Sequence, residues 1–197
     1  MIAVLDYGAG NVGSVVKAVR HLGYAAEVIT EPAELARASK LILPGQGHFG
    51  ATMKRLRERA ALSPLTQAIT AGKPFLGVCL GLQVLFESSE EAAEEAGLGL
   101  LPGQVRRFEG VFKVPHVGWS QLEIQRPEGI LRGVPNGSFV YFCHSYYAPV
   151  TRSTSAVTEY GQAFSSVVEK DSLAAVQFHP EKSGEVGLEV LKNFLKG

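Results

Sequence analysis

Through the first half of the chain, short apolar runs alternate with segments of helical periodicity. That alternation leaves few folds open. Ile2–Tyr7 reads as a buried strand. Over Asn11–Leu22, Val12, Val15, Val16, Val19 and Leu22 recur on one helical face, and Gly23 stops the pattern. Residues Ala26–Thr30, Lys40–Leu43 and Phe75–Val78 read as further strands. Helices are expected over Met53–Arg59, Leu65–Ala71 and Leu80–Glu87. Apolar strands separated by helical segments imply a parallel sheet covered on both faces. The expectation is an α/β fold: a three-layer sandwich around a mostly parallel central sheet.

The second half changes character. Val105–Phe108, Gly118–Ile124, Phe139–His144, Ser155–Tyr160, Ser165–Glu169 and Ala174–Phe178 are β-rich and punctuated by turns, so hairpins or sheet extensions are expected there. A last helix is expected over Glu185–Leu195, with Val186, Val190, Leu191 and Phe194 on its apolar face. No repeat or low-complexity linker divides the 197 residues, so residues 1–197 are read as one domain.

Hydrophobic residues are 46% and charged residues 19%, a balance that excludes wholesale disorder. Lys+Arg and Asp+Glu are both 19, so nothing favours a general nucleic-acid or anionic-membrane binder. No apolar run reaches the roughly 18 residues that suggest a membrane span, and the first residues lack the features of a signal peptide. A cytoplasmic protein is expected. Its two cysteines, Cys79 and Cys143, cannot form a disulfide framework, and in a reducing compartment a cysteine is more often a core residue or a nucleophile.

Two glycine motifs follow strands. Gly8-Ala9-Gly10-Asn11-Val12-Gly13 matches the dinucleotide fingerprint G-x-G-x-x-G, and Glu27 and Glu31 lie about 20 residues on, where a ribose-binding acid would. A tight strand-to-helix turn explains the same glycines. Gly77-Val78-Cys79-Leu80-Gly81 has the form of a nucleophile elbow. Its glycines would permit the strained turn and keep side chains clear of a substrate. A cysteine there would sit at a helix start, where thiolate is favoured, and the Leu80 N–H would face an oxyanion.

A cysteine nucleophile needs a histidine, and the histidine an orienting carboxylate. The chain has five histidines: His21, His48, His116, His144 and His179. Only His179 lies in Gln177-Phe178-His179-Pro180-Glu181, directly after an apolar strand. Pro180 keeps His179 extended, and extended backbone turns side chains at i and i+2 to the same side. His179 and Glu181 can therefore pair, which makes Cys79, His179 and Glu181 a candidate triad.

With Pro44-Gly45-Gln46-Gly47 upstream, these segments resemble, in content and order, the triad-type class I glutamine amidotransferases. Asp6-Tyr7-Gly8-Ala9-Gly10-Asn11, Val114-Pro115-His116-Val117-Gly118-Trp119 and Tyr141-Phe142-Cys143-His144-Ser145-Tyr146-Tyr147 narrow the likeness. They look like the members that hydrolyse glutamine to glutamate and ammonia and pass the ammonia to a (β/α)8 cyclase subunit making imidazole glycerol phosphate in histidine biosynthesis. The resemblance implies Cys79, His179 and Glu181 as catalytic residues. It implies an oxyanion hole from Leu80 and the segment Gly45, Gln46 and Gly47, where one donor is worth about 3–4 kcal/mol. Gln83, Glu91, His144, Ser145 and Tyr146 are implied to contact glutamine. Asn11, His116, Trp119 and Lys182 are implied to face the cyclase. Neither a cofactor nor a metal is implied.

Two positions depart from the family pattern. Gln46 stands where an aliphatic residue is common, and Ser120 where the nearest members have Asn. Glu91 has a plainer reading as part of a solvated acidic helix with Glu87, Glu90, Glu94 and Glu95. The alternatives for the whole chain are the glutaminase subunit of another amidotransferase, such as pyridoxal phosphate synthase, and a dinucleotide-binding enzyme built on Gly8, Gly10 and Gly13.

Overall fold

The computed structural model describes all residues, Met1–Gly197. The first half forms β1 (Ile2–Leu5), α1 (Val12–His21), β2 (Ala26–Ile29), β3 (Lys40–Gly45), α2 (Phe49–Glu58), α3 (Leu62–Thr70), β4 (Phe75–Cys79), the single turn α4 (Leu80–Gln83) and β5 (Phe86–Ser89). The second half forms β6 (Leu101–Arg107), β7 (His116–Gln121), β8 (Glu123–Ile124), β9 (Phe139–His144), β10 (Tyr146–Tyr147), β11 (Thr154–Glu159), β12 (Ala163–Lys170), β13 (Leu173–Val176) and α5 (Gly184–Lys196).

The central sheet has eight strands in the order β2-β1-β3-β4-β13-β12-β11-β8. Strands β2, β1, β3, β4 and β13 run parallel. Strands β12, β11 and β8 extend the sheet antiparallel. Side chains alternate across the strands and fill two separate cores. Ile2, Val4, Ile42, Leu76 and Val78 pack with Val15, Val16 and Val19 of α1 and Val190, Leu191 and Phe194 of α5. Ala3, Leu5, Leu41, Leu43 and Phe75 pack with Phe49, Met53 and Leu56 of α2 and Leu65 and Ile69 of α3. Two cores on opposite faces make the three layers, and they explain why these strands are apolar throughout.

The expected helix over Leu80–Glu87 is cut short. It closes at Gln83, and Phe86–Ser89 becomes a strand in a second sheet of order β10-β6-β5. The cause is tertiary: the Leu85 carbonyl accepts from Leu100 N and Leu101 N at 2.9 and 3.0 Å. The acidic stretch Glu90–Glu95 is turns rather than a helix. Helix α2 begins at Phe49, before the expected Met53, because side chains cap its first turn. Phe49 N donates to Glu91 Oε2 at 2.7 Å and Gly50 N to His48 Nδ1 at 3.1 Å. Strands β7 and β9 pair antiparallel as a separate two-stranded sheet.

Candidate active site

Cys79 ends β4 and precedes α4 with φ 55° and ψ −107°, a left-handed conformation that costs about 1–3 kcal/mol for a non-glycine residue. Its glycine neighbours make the turn possible. A Cβ on Gly77 would collide with the Gly81 carbonyl, and one on Gly81 with the Leu43 carbonyl. Across the neighbouring strand, a Cβ on Gly45 would lie 2.7 Å from both Leu80 Cβ and Gly81 N. Three glycines thus hold the elbow close against β3. Leu80 opens α4, so its N–H has no partner within the helix.

Strand β13 lies parallel beside β4, with Val176 opposite Val78. This register brings the segment after Val176 alongside Cys79. His179 Nδ1 lies 3.0 Å from Glu181 Oε1, which leaves Nε2 for another partner, and His179 and Cys79 line the same cavity. Burial, the largest single influence, opposes protonation of His179. The hydrogen bonds and negative charges of Cys79 and Glu181 together outweigh it and push the pKa up to about 10. The ring is thereby held protonated between Cys79 and Glu181. The backbone around the pair is anchored as well. His179 N donates to the Tyr141 carbonyl at 3.0 Å, Tyr141 N donates to Ser183 Oγ at 3.0 Å, and Ser183 Oγ donates to the His179 carbonyl at 2.7 Å.

A cavity of about 380 Å³ opens in front of Cys79. Gln46, Gly47, Leu80, Gln83, Glu91, His144, Ser145, Tyr146 and His179 all line it. Residues named from five separate stretches of sequence therefore converge on one hollow. Gly47 has φ 107°, in the region that favours glycine. Glu91 is half-buried, bonded to Phe49 N and bordering the cavity, and it lies in a turn rather than a helix.

Behind this wall runs a hydrogen-bond chain whose direction is set by a carbonyl. The Tyr146 carbonyl only accepts, so His144 donates to it from Nδ1 at 2.8 Å. Nε2 of a neutral His144 then accepts from His116 Nδ1 at 3.2 Å, and His116 Nε2 accepts from Ser120 Oγ at 2.9 Å. Burial keeps both rings neutral, lowering His116 to about 4 and His144 to about 3. His116 was expected at a partner surface. It is instead 2% exposed and stacked on Tyr160 and Phe142 with ring centroids 3.9 and 4.9 Å away. Alternation along β7 is the reason: His116 and Ser120 turn inward, and Val117 and Trp119 outward.

The outer face of the β7–β9 pair carries exposed Val117, Trp119 and Phe139. Trp119 meets Tyr141 edge-on with centroids 6.0 Å apart, and Lys182 Nζ lies 6.0 Å from the Tyr141 ring centre. Asn11 precedes α1 without capping it through its side chain. The loop before Asn11 is latched by Gly8 N on Asp6 Oδ1 at 2.8 Å and by Arg55 on the Gly8 carbonyl. Gly8 and Gly10 have φ of 86° and 100°, and a Cβ on Gly10 would lie 3.1 Å from the Pro44 carbonyl. A Cβ on Gly13 would meet nothing within 4 Å. The dinucleotide fingerprint needs its third glycine for close helix–strand packing, so that reading loses its physical basis here. No group of three or more His, Cys, Asp or Glu side chains converges as a metal site would.

One buried polar residue escaped the sequence reading of the site. Gln177 is fully buried. Its Oε1 accepts from Gln83 Nε2 at 3.2 Å, and its Nε2 lies 3.7 Å from Cys79 Sγ. Its place in the same short segment as His179 was the available signal.

Comparison with known proteins agrees with this architecture. The family profile described as Glutamine amidotransferase class-I matches residues 3–197. A protein of Syntrophotalea carbinolica named imidazole glycerol phosphate synthase subunit HisH is 48% identical over 203 residues, covering 98% of each chain. The protein of the same name from Moorella thermoacetica is 48% identical, covering 98% of this chain and 93% of its own. A crystal structure described as a glutamine amidotransferase superposes with TM-score 0.78 at 21% identity, covering 99% of this chain and 97% of the other. The structure of PurLQS from Thermotoga maritima gives TM-score 0.77 at 19% identity, with the same coverage. These two likenesses concern the fold.

Proposed function

The chain belongs to the class I glutamine amidotransferases, and we propose that it is the glutaminase subunit of an imidazole glycerol phosphate synthase, supplying ammonia for histidine biosynthesis. The observation that carries the reading is the strained Cys79 elbow beside the His179–Glu181 pair at 3.0 Å. Cys79 Sγ attacks the side-chain amide carbon of glutamine. The oxygen that gains charge is met by the Leu80 N–H and by an N–H of the Gly45–Gly47 segment. His179 gives its Nε2 proton to the leaving ammonia, and a thioester remains. The neutral ring then takes a proton from water, water attacks the thioester, and glutamate leaves as the thiolate reforms. Glu181 holds Nδ1–H throughout and stabilises the imidazolium.

Gln83 spends both amide protons, on the Tyr146 carbonyl at 2.7 Å and on Gln177 Oε1, so toward glutamine it can only accept. Glu91, His144, Ser145 and Tyr146 complete the substrate wall. The exposed face of Val117, Trp119 and Phe139, with Asn11 and Lys182, is the docking surface for a (β/α)8 cyclase partner in the cytoplasm.

The test is release of glutamate from glutamine by the chain alone and with an imidazole-glycerol-phosphate-forming cyclase. Glutaminase activity coupled to cyclisation is the expected result. Glutaminase activity that no such cyclase binds or stimulates would assign the chain to a different amidotransferase.

A further inference from the structure

We propose that Gln177 is a further catalytic residue, donating a hydrogen bond from Nε2 to the attacking sulfur of Cys79. The proposal rests on the reading of Cys79 as nucleophile. Parallel pairing of Val176 with Val78 puts the next residues, Gln177 and Cys79, side by side at the strand ends. The Nε2–Sγ separation of 3.7 Å is an N–H···S contact, and both residues are buried.

The amide's orientation follows from its neighbours. A flipped Gln177 would present oxygen to the sulfur and repel a thiolate. The Tyr146 carbonyl can only accept, so Gln83 must present its NH2 there. The same nitrogen then donates to Gln177 Oε1 at 3.2 Å, which leaves Gln177 Nε2 for the sulfur. A main-chain carbonyl two residues beyond His144 thus fixes a donor on the nucleophile.

This donor stays in place while His179 alternates between donor and acceptor. After His179 passes its proton to ammonia, its Nε2 is an acceptor. In thioester hydrolysis a bond forms between water oxygen and the acyl carbon, and the water proton goes to His179. The carbon–sulfur bond breaks with its electron pair on sulfur. Gln177 never loses its protons, so it stabilises the sulfur anion as nucleophile in the first half-reaction and as leaving group in the second. A hydrogen bond to a charged, desolvated group is among the stronger ones.

The experiment measures iodoacetamide alkylation of each cysteine against pH in the full chain, resolved by peptide mass spectrometry. Exposed Cys143 is the internal control. Gln177→Met keeps length and removes the donor. Gln177→Glu keeps the acceptor toward Gln83 and sets a carboxylate against the sulfur. The Cys79 curve should move to higher pH in Gln177→Met, with about a 10-fold slower reaction at neutral pH, and further in Gln177→Glu. Cys143 should not change. Glutaminase turnover should fall with little change in KM.

Superimposable Cys79 curves in folded variants overturn the proposal. If neither variant folds, the Gln177 side-chain amide resonances of the ¹⁵N-labelled wild-type chain decide: they must shift when Cys79 is alkylated, and no shift overturns the proposal. Glutaminase activity surviving in Cys79→Ala would instead remove the premise, whatever the alkylation curves show.

Discussion

Glu181 Oε1 sits 3.0 Å from His179 Nδ1, with both side chains almost wholly withdrawn from solvent at 1% and 3% exposure. Two residues apart, with His179 extended and Glu181 in the 3-10 turn Pro180–Lys182, they form the charge pair that sets the state of the ring facing Cys79. Glu181→Gln should lower glutaminase turnover by at least about 100-fold and leave KM for glutamine nearly unchanged. Steady-state kinetics across glutamine concentrations checks this. An unchanged turnover with a large rise in KM would move Glu181 from the triad to the substrate wall.

Cys79 should be the residue modified by a glutamine-mimicking diazo-ketone. Cys143 also borders the cavity and is more exposed, so mere accessibility predicts the opposite selectivity. Peptide mapping after labelling is the measurement. Labelling undiminished in Cys79→Ala would sink the assignment. Cys79→Ser should be nearly inactive, since a hydroxyl is far less ionised than a thiol near neutral pH.

Gly47, at φ 107° with open space around its missing Cβ, is the hinge expected to turn an N–H toward the oxyanion. Gly47→Ala keeps the N–H and meets only the backbone cost. Gly47→Pro removes the N–H and cannot adopt that φ. Proline should abolish partner-stimulated turnover, and alanine should reduce it. The assay compares the chain alone, with the cyclase, and with the cyclase plus its ligand. Equal wild-type rates in all three conditions would leave a constitutive glutaminase with no gate.

Gly45→Ala should damage stability and activity together. Its Cβ would sit 2.7 Å from Leu80 Cβ and Gly81 N, so β3 and the elbow must separate. A loss of about 1–3 kcal/mol is expected by denaturant titration, as for overpacking elsewhere. Wild-type stability in this variant would show that the elbow can shift freely.

Stability should also fall in acid. His116 and His144 are held neutral by burial, with pKa about 4 and about 3 in the fold. The unfolded chain binds these protons from about pH 6.5 downward. The folded state resists until pH falls through those low values, so stability is full above about 6.5 and is lost progressively below it. His179 has the opposite sign. Raised to about 10, it contributes below about pH 6.5 and that contribution fades as pH rises through its folded value. Urea midpoints from pH 4 to 10 test both limbs. In His116→Phe the acid loss should shrink, and an unchanged acid limb would refute the role of these rings.

Much of this was legible in the chain itself. Unbroken apolar strands between helical segments require two covered sheet faces, and the structure has them. The elbow is a local steric statement: small residues on both sides of Cys79, and a turn that tolerates nothing larger. The His179–Glu181 pairing is also local, though by another geometry than strand alternation: His179 stays extended before Pro180, and a single 3-10 turn over Pro180–Lys182 brings Glu181 back to it. The failures share a different origin. Leu80–Glu87 carries helical spacing, yet Leu85 and Phe86 are claimed by residues some fifteen positions downstream. Glu91 is set apart from the acids around it by resemblance alone; no local pattern foretells that the fold ties it to the Phe49 amide.

Local rules, then, were written into the sequence: periodicity, the elbow, the histidine–carboxylate pair and the glycines that turn strands into helices. The fold alone decided which strands are neighbours. Nothing in an apolar strand buried on both faces labels its partner. Placing β13 beside β4 brings Gln177 and His179 to Cys79 across almost a hundred residues. Likewise alternation put His116 and Trp119 on opposite faces of β7, and the fold decided that the His116 face is the buried one. The physical reason is range. Sterics and periodicity act over a few residues, whereas strand order and burial are settled by the packing free energy of the whole domain.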